Sequence, residues 1–194
     1  MQRDDVAYTP FYCEENIWHL SLSPGLGDRE RWVVFISNPA RTCALWSQRA
    51  SRDRISAVVW DYHVILVAAA PSGGFEVFDL DTIAGFPLSV PFYLKATFPF
   101  GDGVPAPVRP RFRVVEAARL RRTFSSNRSH MRTADGKWLR PPPPWPIIQA
   151  PGVEMNLPAF LDMENDHFGE VFDLESFRER FGKPHVETPR SEEP

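Results

Sequence analysis

Cysteine is scarce in this chain, with only Cys13 and Cys43 among 194 residues. Two cysteines do not make the disulfide framework of a small secreted domain, and free thiols suit a reducing compartment. No apolar run approaches the ~20 residues of a membrane span. Met1-Gln2-Arg3-Asp4-Asp5 has no apolar signal segment, so the default expectation is an intracellular protein with no membrane partner. An excess of one charge is also missing. The net charge of −3 argues against a general nucleic-acid binder. Asp61, His63, Asp79 and His130 are metal-ligating types, but they lack a clustered ligand spacing, so no metal site is expected. No repeat is visible. Proline, by contrast, is abundant at 20 residues, about twice the typical ~5%, which predicts many irregular loops. The length suits a single domain over 1–194, with a loose arm at 1–8 and a disordered tail at 183–194.

The organising stretch is Tyr12-Cys13-Glu14-Glu15-Asn16-Ile17-Trp18-His19-Leu20. Cys13, Ile17 and Leu20 share one helical face, Thr9-Pro10 reads as the helix start, and Ser23-Pro24-Gly25 ends it. A thiol in a helix's first turn meets unpaired N–H groups and the positive dipole end, which favour thiolate. Glu14 and Glu15 oppose this, so the sulfur would need a nearby imidazole. Further on, Trp32 to Ile36 reads as a buried strand with Cys43 to Trp46 as a short partner, and Gln48 to Arg54 as a solvent loop. Ala57 to Val67 is almost wholly β-forming and suits one strand central in its sheet. Pro71-Ser72-Gly73-Gly74 turns it into Phe75 to Asp81, a hairpin. Thr82 to Pro110 reads as a packed loop with short helical pieces around Tyr93-Leu94, and Arg111 to Val115 as a strand. Asn156 caps a short helix; Asp173 caps another from Leu174 to Phe181, with Gly182 as its stop. A helix, then antiparallel strands, then small helices predict an α+β fold with a central antiparallel sheet.

His63 lies inside an apolar run and needs a polar partner. Asp79 and Asp81 on the returning strand can supply one, depending on register. A four-residue loop pairing Ala70 with Phe75 turns both acids away; a three- or five-residue loop, or one bulge, brings both onto the histidine's face. Spacing leaves the two open, and direct pairing in a three-residue loop favours Asp81. Helix-borne cysteine, strand-borne histidine and next-strand carboxylate, in that order, form the layout of papain- and transglutaminase-like hydrolases.

Six blocks carry a more specific likeness: Tyr12-Cys13-Glu14-Glu15-Asn16-Ile17-Trp18, Val34-Phe35-Ile36-Ser37-Asn38, Trp60-Asp61-Tyr62-His63-Val64, Asp79-Leu80-Asp81-Thr82, Arg128-Ser129-His130-Met131 and Pro141-Pro142-Pro143-Pro144. In this order, from about residue 8 to residue 182, the chain resembles the protein N-terminal glutamine amidohydrolases. The resemblance implies a monomeric, cofactor-free, cytoplasmic or nuclear enzyme that acts on proteins or peptides with a free N-terminal glutamine. It would convert the side-chain amide to a carboxylate with release of ammonia, feeding arginylation in the N-degron pathway. It also implies Cys13, His63 and Asp79 as the triad, against the register-based lean to Asp81. For the substrate's α-ammonium, Glu15, Asp61 and Asp81 are candidates, and the Trp60 indole is a candidate oxyanion donor by analogy with transglutaminases. His130 is a candidate for the cleft wall. Rejecting asparagine, one methylene shorter, gains only ~1–3 kcal/mol from pocket contacts, so positioning of the amide must supply much of that selectivity.

Alternative readings are another cysteine hydrolase or a transamidase on the same scaffold, or a non-catalytic protein binding through its proline run. Arg109, Arg111, Arg113, Arg119, Arg121 and Arg122 form a basic stretch, and the alternation of the first three suggests a solvated strand face.

Overall fold

The computed structural model describes residues 1–183; the expectation of a disordered tail falls, beyond Lys183, on residues outside that range. The core is a six-stranded sheet built from β1 (Arg31–Ser37), β4 (His63–Ala69), β5 (Phe75–Phe78), β6 (Leu88–Ser89), β7 (Arg111–Glu116) and β8 (Glu170–Phe172), in the order β6-β5-β4-β1-β7-β8. Every neighbouring pair is antiparallel. With its flanking helices this is an α+β fold. Among the described residues no helix is long and apolar enough to cross a membrane.

Both faces of the sheet are buried, which explains why β1 and β4 read as continuous apolar runs. Val33 and Phe35 of β1 with Val64 and Leu66 of β4 pack under α1 (Cys13–Ser21), α3 (Ala117–Thr123) and α4 (Leu157–Phe160). Val34, Ile36, Ile65 and Val67 face the other way, against α2 (Val90–Thr97) and α5 (Leu174–Phe181). Asp173 caps α5 through the Ser176 N–H, at 2.8 Å.

Several expectations need correction. Helix α1 begins at Cys13, not at Thr9-Pro10. The Asn16 side chain accepts from the Thr9 N–H and donates to the Thr9 carbonyl, at 2.9 and 2.8 Å. It thus satisfies the backbone that would otherwise enter the helix, and Phe11 turns at φ 70°. The run 57–67 is not one strand. β3 (Val58–Trp60) leaves the main sheet to pair with β2 (Cys43–Leu45), and β4 starts only at His63. At the break, the Asp61 carbonyl accepts from Ser37 Oγ and the Tyr62 N–H donates to the Asp61 carboxylate, at 2.7 and 3.0 Å. These bonds replace ladder pairs.

Gln48, expected in solvent, is buried. Asn156 precedes α4, but its side chain bonds Ser125 N–H and the Thr123 carbonyl instead of capping it. Arg113 is not on a solvated face. It is completely buried, donating to the carbonyls of Phe160, Gly169, Asn165 and Asp162. The arm at 1–8 is tied down: Arg3 donates to the Thr82 and Gly85 carbonyls, and Tyr8 OH donates to Asp81 at 2.5 Å. The proline run is held through its backbone, with Arg128 donating to the Pro143 and Trp145 carbonyls.

Candidate active site

The β4–β5 turn decides what can face His63. Ala69 pairs with Phe75 across five loop residues, and Leu66 pairs with Phe78. Extended, that register brings position 81 opposite 63 and puts 79 and 81 on the histidine's face. β5 stops at Phe78, however, so both acids lie just past the strand. The chain folds back there, with the Asp81 N–H donating to Asp79 Oδ1 at 2.8 Å. It is therefore Asp79 that reaches the ring, with Oδ1 2.9 Å from His63 Nε2.

Asp79 is held from further sides. Tyr93 OH donates to its Oδ2 at 3.0 Å and Gln48 Nε2 lies 3.4 Å from the same oxygen. Burial pushes the Asp79 carboxyl upward, but the His63 charge and hydrogen bond, with the Asp81 N–H and Tyr93 OH, bring it below the usual carboxylate range. Burial likewise depresses His63, and the charge and hydrogen bond of Asp79, helped by Asp81, overcome this and raise it. A fixed Nε2–carboxylate bond leaves Nδ1 as the ring atom free to exchange a proton elsewhere. Gln48 and Tyr93 carried no signal in the sequence, since each sits in a segment that reads as loop or small helix.

Cys13 is the first residue of α1, where backbone N–H groups lack partners within the helix. Although α1 packs on the sheet face opposite His63's, the two residues reach the same cavity beside the start of β4. The Val64 backbone N–H donates to the sulfur, and Cys13 and His63 line one cavity of about 300 Å³. Burial pushes the Cys13 thiol well above the usual range. The Glu14, Asp81 and Asp61 carboxylates add to the shift, and the Val64 N–H opposes it.

The remaining sequence candidates divide. Trp60, Asp61, Asp81 and His130 line the same cavity. Trp60 stacks on His63, with centroids 6.0 Å apart, and its buried indole N–H has no hydrogen-bond partner among the described residues. Asp81 is buried, with Oδ1 taken by Tyr8, whereas Asp61 is exposed. Glu15 is not brought to the cavity. Its oxygens are 2.7 Å from Arg128 Nε, Arg128 Nη2 and Trp145 Nε1, a buried cluster holding α1 to the 128–145 segment. Glu14 and Tyr62, which the sequence reading did not single out as site groups, adjoin the sulfur. Glu14 Oε2 lies 3.9 Å from Cys13 Sγ and accepts from Tyr62 OH at 3.0 Å.

His63, Asp79 and Asp81 can bring one ligand atom each within 4.8 Å of one another. His63 Nε2 and Asp79 Oδ1 are already bonded to each other, so a metal that used those two atoms would have to break that bond. The arrangement suits proton transfer better than ligation: an aligned imidazole, a sulfur and an unpaired indole donor line one pocket.

Comparison with known proteins covers nearly the whole of the described chain. Residues 8–181 match the family model described as N-terminal glutamine amidase. The protein N-terminal glutamine amidohydrolase of Homo sapiens is 38% identical over 185 residues, covering 93% of this chain and 90% of the human protein. Its namesake from Drosophila melanogaster is 38% identical over 189 residues, covering 94% and 92%, and that of Danio rerio is 37% identical over 184 residues, covering 92% and 91%. The match runs through both the helix that carries Cys13 and the hairpin that carries His63, and on it the chain belongs to the N-terminal glutamine amidase family.

Proposed function

We propose that this protein hydrolyses the side-chain amide of an N-terminal glutamine, giving N-terminal glutamate and ammonia, with Cys13 as nucleophile, His63 as acid and base, and Asp79 as the group that aligns His63. Membership of the family and the names of its relatives support the substrate. The 2.9 Å bond from His63 Nε2 to Asp79, beside a cavity that also holds Cys13, is the observation that carries the chemistry. The likeness to papain- and transglutaminase-like hydrolases is one of layout: helix-borne sulfur, strand-borne imidazole, carboxylate just beyond the next strand.

The sulfur passes its proton to His63 Nδ1 and attacks the carboxamide carbon. The oxyanion takes a hydrogen bond from the Cys13 backbone N–H, and the unpartnered Trp60 indole N–H is the natural second donor. His63 then protonates the departing nitrogen, the C–N bond breaks, and ammonia leaves a thioester. Water, deprotonated by the same imidazole, attacks the thioester; the C–S bond breaks and Cys13 recovers its proton.

Restriction to chain ends requires a group that reads the free ammonium. Asp81 fits best among the candidates, because a buried carboxylate pairs far more strongly than an exposed one such as Asp61. Burial raises the Asp81 carboxyl, with Asp79 adding and His63 opposing; an ammonium placed against it would reverse that. Mass spectrometry of matched peptides beginning with Gln, Asn or acetylated Gln tests the reading. Only the first should gain about one mass unit and release ammonia. A transamidase would instead add an amine, and a non-catalytic protein would leave all three unchanged.

A further inference from the structure

Acidic groups dominate the surroundings of the Cys13 sulfur. From its own helix, Glu14 puts a fully buried carboxylate 3.9 Å from Sγ. The β3–β4 junction contributes Asp61, the Tyr62 hydroxyl, His63 and the Val64 N–H, and the segment after β5 contributes Asp81. His130 closes the far side, its Nε2 3.4 Å from Glu14 Oε1 and 3.2 Å from Tyr62 OH. Among the described residues Arg41 is the one arginine or lysine lining the cavity, and it is solvent-exposed, where its charge is screened. No arginine or lysine among the described residues bonds Glu14: Oε2 takes the Tyr62 hydroxyl, and Oε1 is buried with no hydrogen bond. This contrasts with its neighbour Glu15, which Arg128 neutralises directly.

A buried carboxylate beside a thiol opposes formation of the thiolate. Beside Glu14 the His130 imidazole is the sole basic side chain among the described residues, and the substrate, on the reading above, brings a full cation in its α-ammonium. We propose that Glu14 is a specificity-determining residue that keeps Cys13 unreactive until the ammonium of an N-terminal glutamine enters beside Asp81 and compensates the carboxylates crowding the sulfur. Terminal position is then read twice, once in binding and once in activation of the nucleophile. A glutamine lacking the ammonium is slow even when bound, so its defect lies in kcat as well as KM. The direction of the Cys13 shift, with Glu14 the largest contributor after burial, agrees with the geometry.

The inference rests on the hydrolase reading, and the test separates the two. Cys13 alkylation by iodoacetamide at neutral pH is followed in free wild type and in Glu14→Gln, which keeps an acceptor for Tyr62. Ammonia release is measured from a Gln-initiated peptide and from the same peptide with hydrogen in place of the α-amine. The variant should alkylate about tenfold faster or more. Its preference for the amine-bearing peptide should fall by a similar factor, because the des-amino peptide gains kcat. Equal losses on both peptides with alkylation unchanged would make Glu14 a structural residue only and overturn the proposal. If Glu14→Gln does not fold, Asp81→Asn, which removes the next buried carboxylate acting on the sulfur, should shift alkylation in the same direction, and no shift there would overturn it too. Absence of ammonia release by the wild type from the Gln-initiated peptide would sink the hydrolase reading itself; an unchanged alkylation rate with release intact would sink this proposal alone.

Discussion

Replacing Glu15 with alanine separates a residue that holds the scaffold from one that reads substrate. The Glu15 side chain is completely buried and its Arg128 partner 8% exposed. Three donors converge on it, Arg128 Nε, Arg128 Nη2 and Trp145 Nε1, each at 2.7 Å. Alanine removes the only negative charge bonded to this buried guanidinium among the described residues and strips the indole N–H of its acceptor. Removing one partner of a buried pair costs about 3–5 kcal/mol. At about 2–4 °C per kcal/mol for a chain of this size, the melting temperature should fall by roughly 6–20 °C. Urea denaturation followed by tryptophan fluorescence gives the free energy, and ammonia release below the transition gives KM for a Gln-initiated peptide. The expected result is a large loss of stability with KM within about twofold of wild type. Near-native stability with KM raised tenfold or more would contradict this, and would return Glu15 to the list of ammonium-binding groups.

Asp79→Asn should lower kcat by about 10²- to 10⁴-fold with little change in fold, since the histidine loses its aligned acceptor. Burial, no longer opposed by the Asp79 charge, should move His63 downward, so the ascending limb of the pH–kcat/KM profile shifts to lower pH; an unshifted limb would remove Asp79 from its role. The same variant tests acid stability. Asp79 titrates below its unfolded value in the native protein. Its contribution is therefore fully present above the ordinary carboxylate range and lost as pH falls through the lowered value. The Asp79→Asn substitution should flatten that dependence in urea midpoints. Arg113→Met should cost at least about 3 kcal/mol, because several carbonyls between Phe160 and Gly169 lose their donor. KM should also rise, as Leu161 within that segment lines the cavity; a midpoint equal to wild type would show the clamp to be dispensable.

The sequence was most legible where local chemistry decides structure. The Cys13–Ile17–Leu20 face, the apolar run of β1 and the Asp173 cap follow from neighbours within a few residues. The break between strands at Asp61-Tyr62 did not, because β-propensity is blind to which sheet a strand joins. Arg113 and Gln48 misled for another reason. Each is polar, yet their partners are backbone carbonyls and a carboxylate dozens of residues away in sequence. Hairpin register identified the two acids that could face His63 but not the one that does. That choice is made by β5 ending at Phe78 and by the Asp81 N–H turning back onto Asp79. The family likeness reached Asp79 by a route that register alone could not supply. Glu15 and Glu14 carry the plainest lesson: adjacent, identical in type and both buried, they differ in that a distant arginine reaches one of them.

The central claim is that the sulfur of Cys13 takes the glutamine acyl group. Acid-quenching the enzyme during turnover of a Gln-initiated peptide, then digesting and weighing it, should reveal that peptide less one ammonia attached to Cys13. The Cys13→Ala protein should carry no adduct and release no ammonia while keeping its fold. Ammonia release by that variant at a rate near wild type would contradict the account.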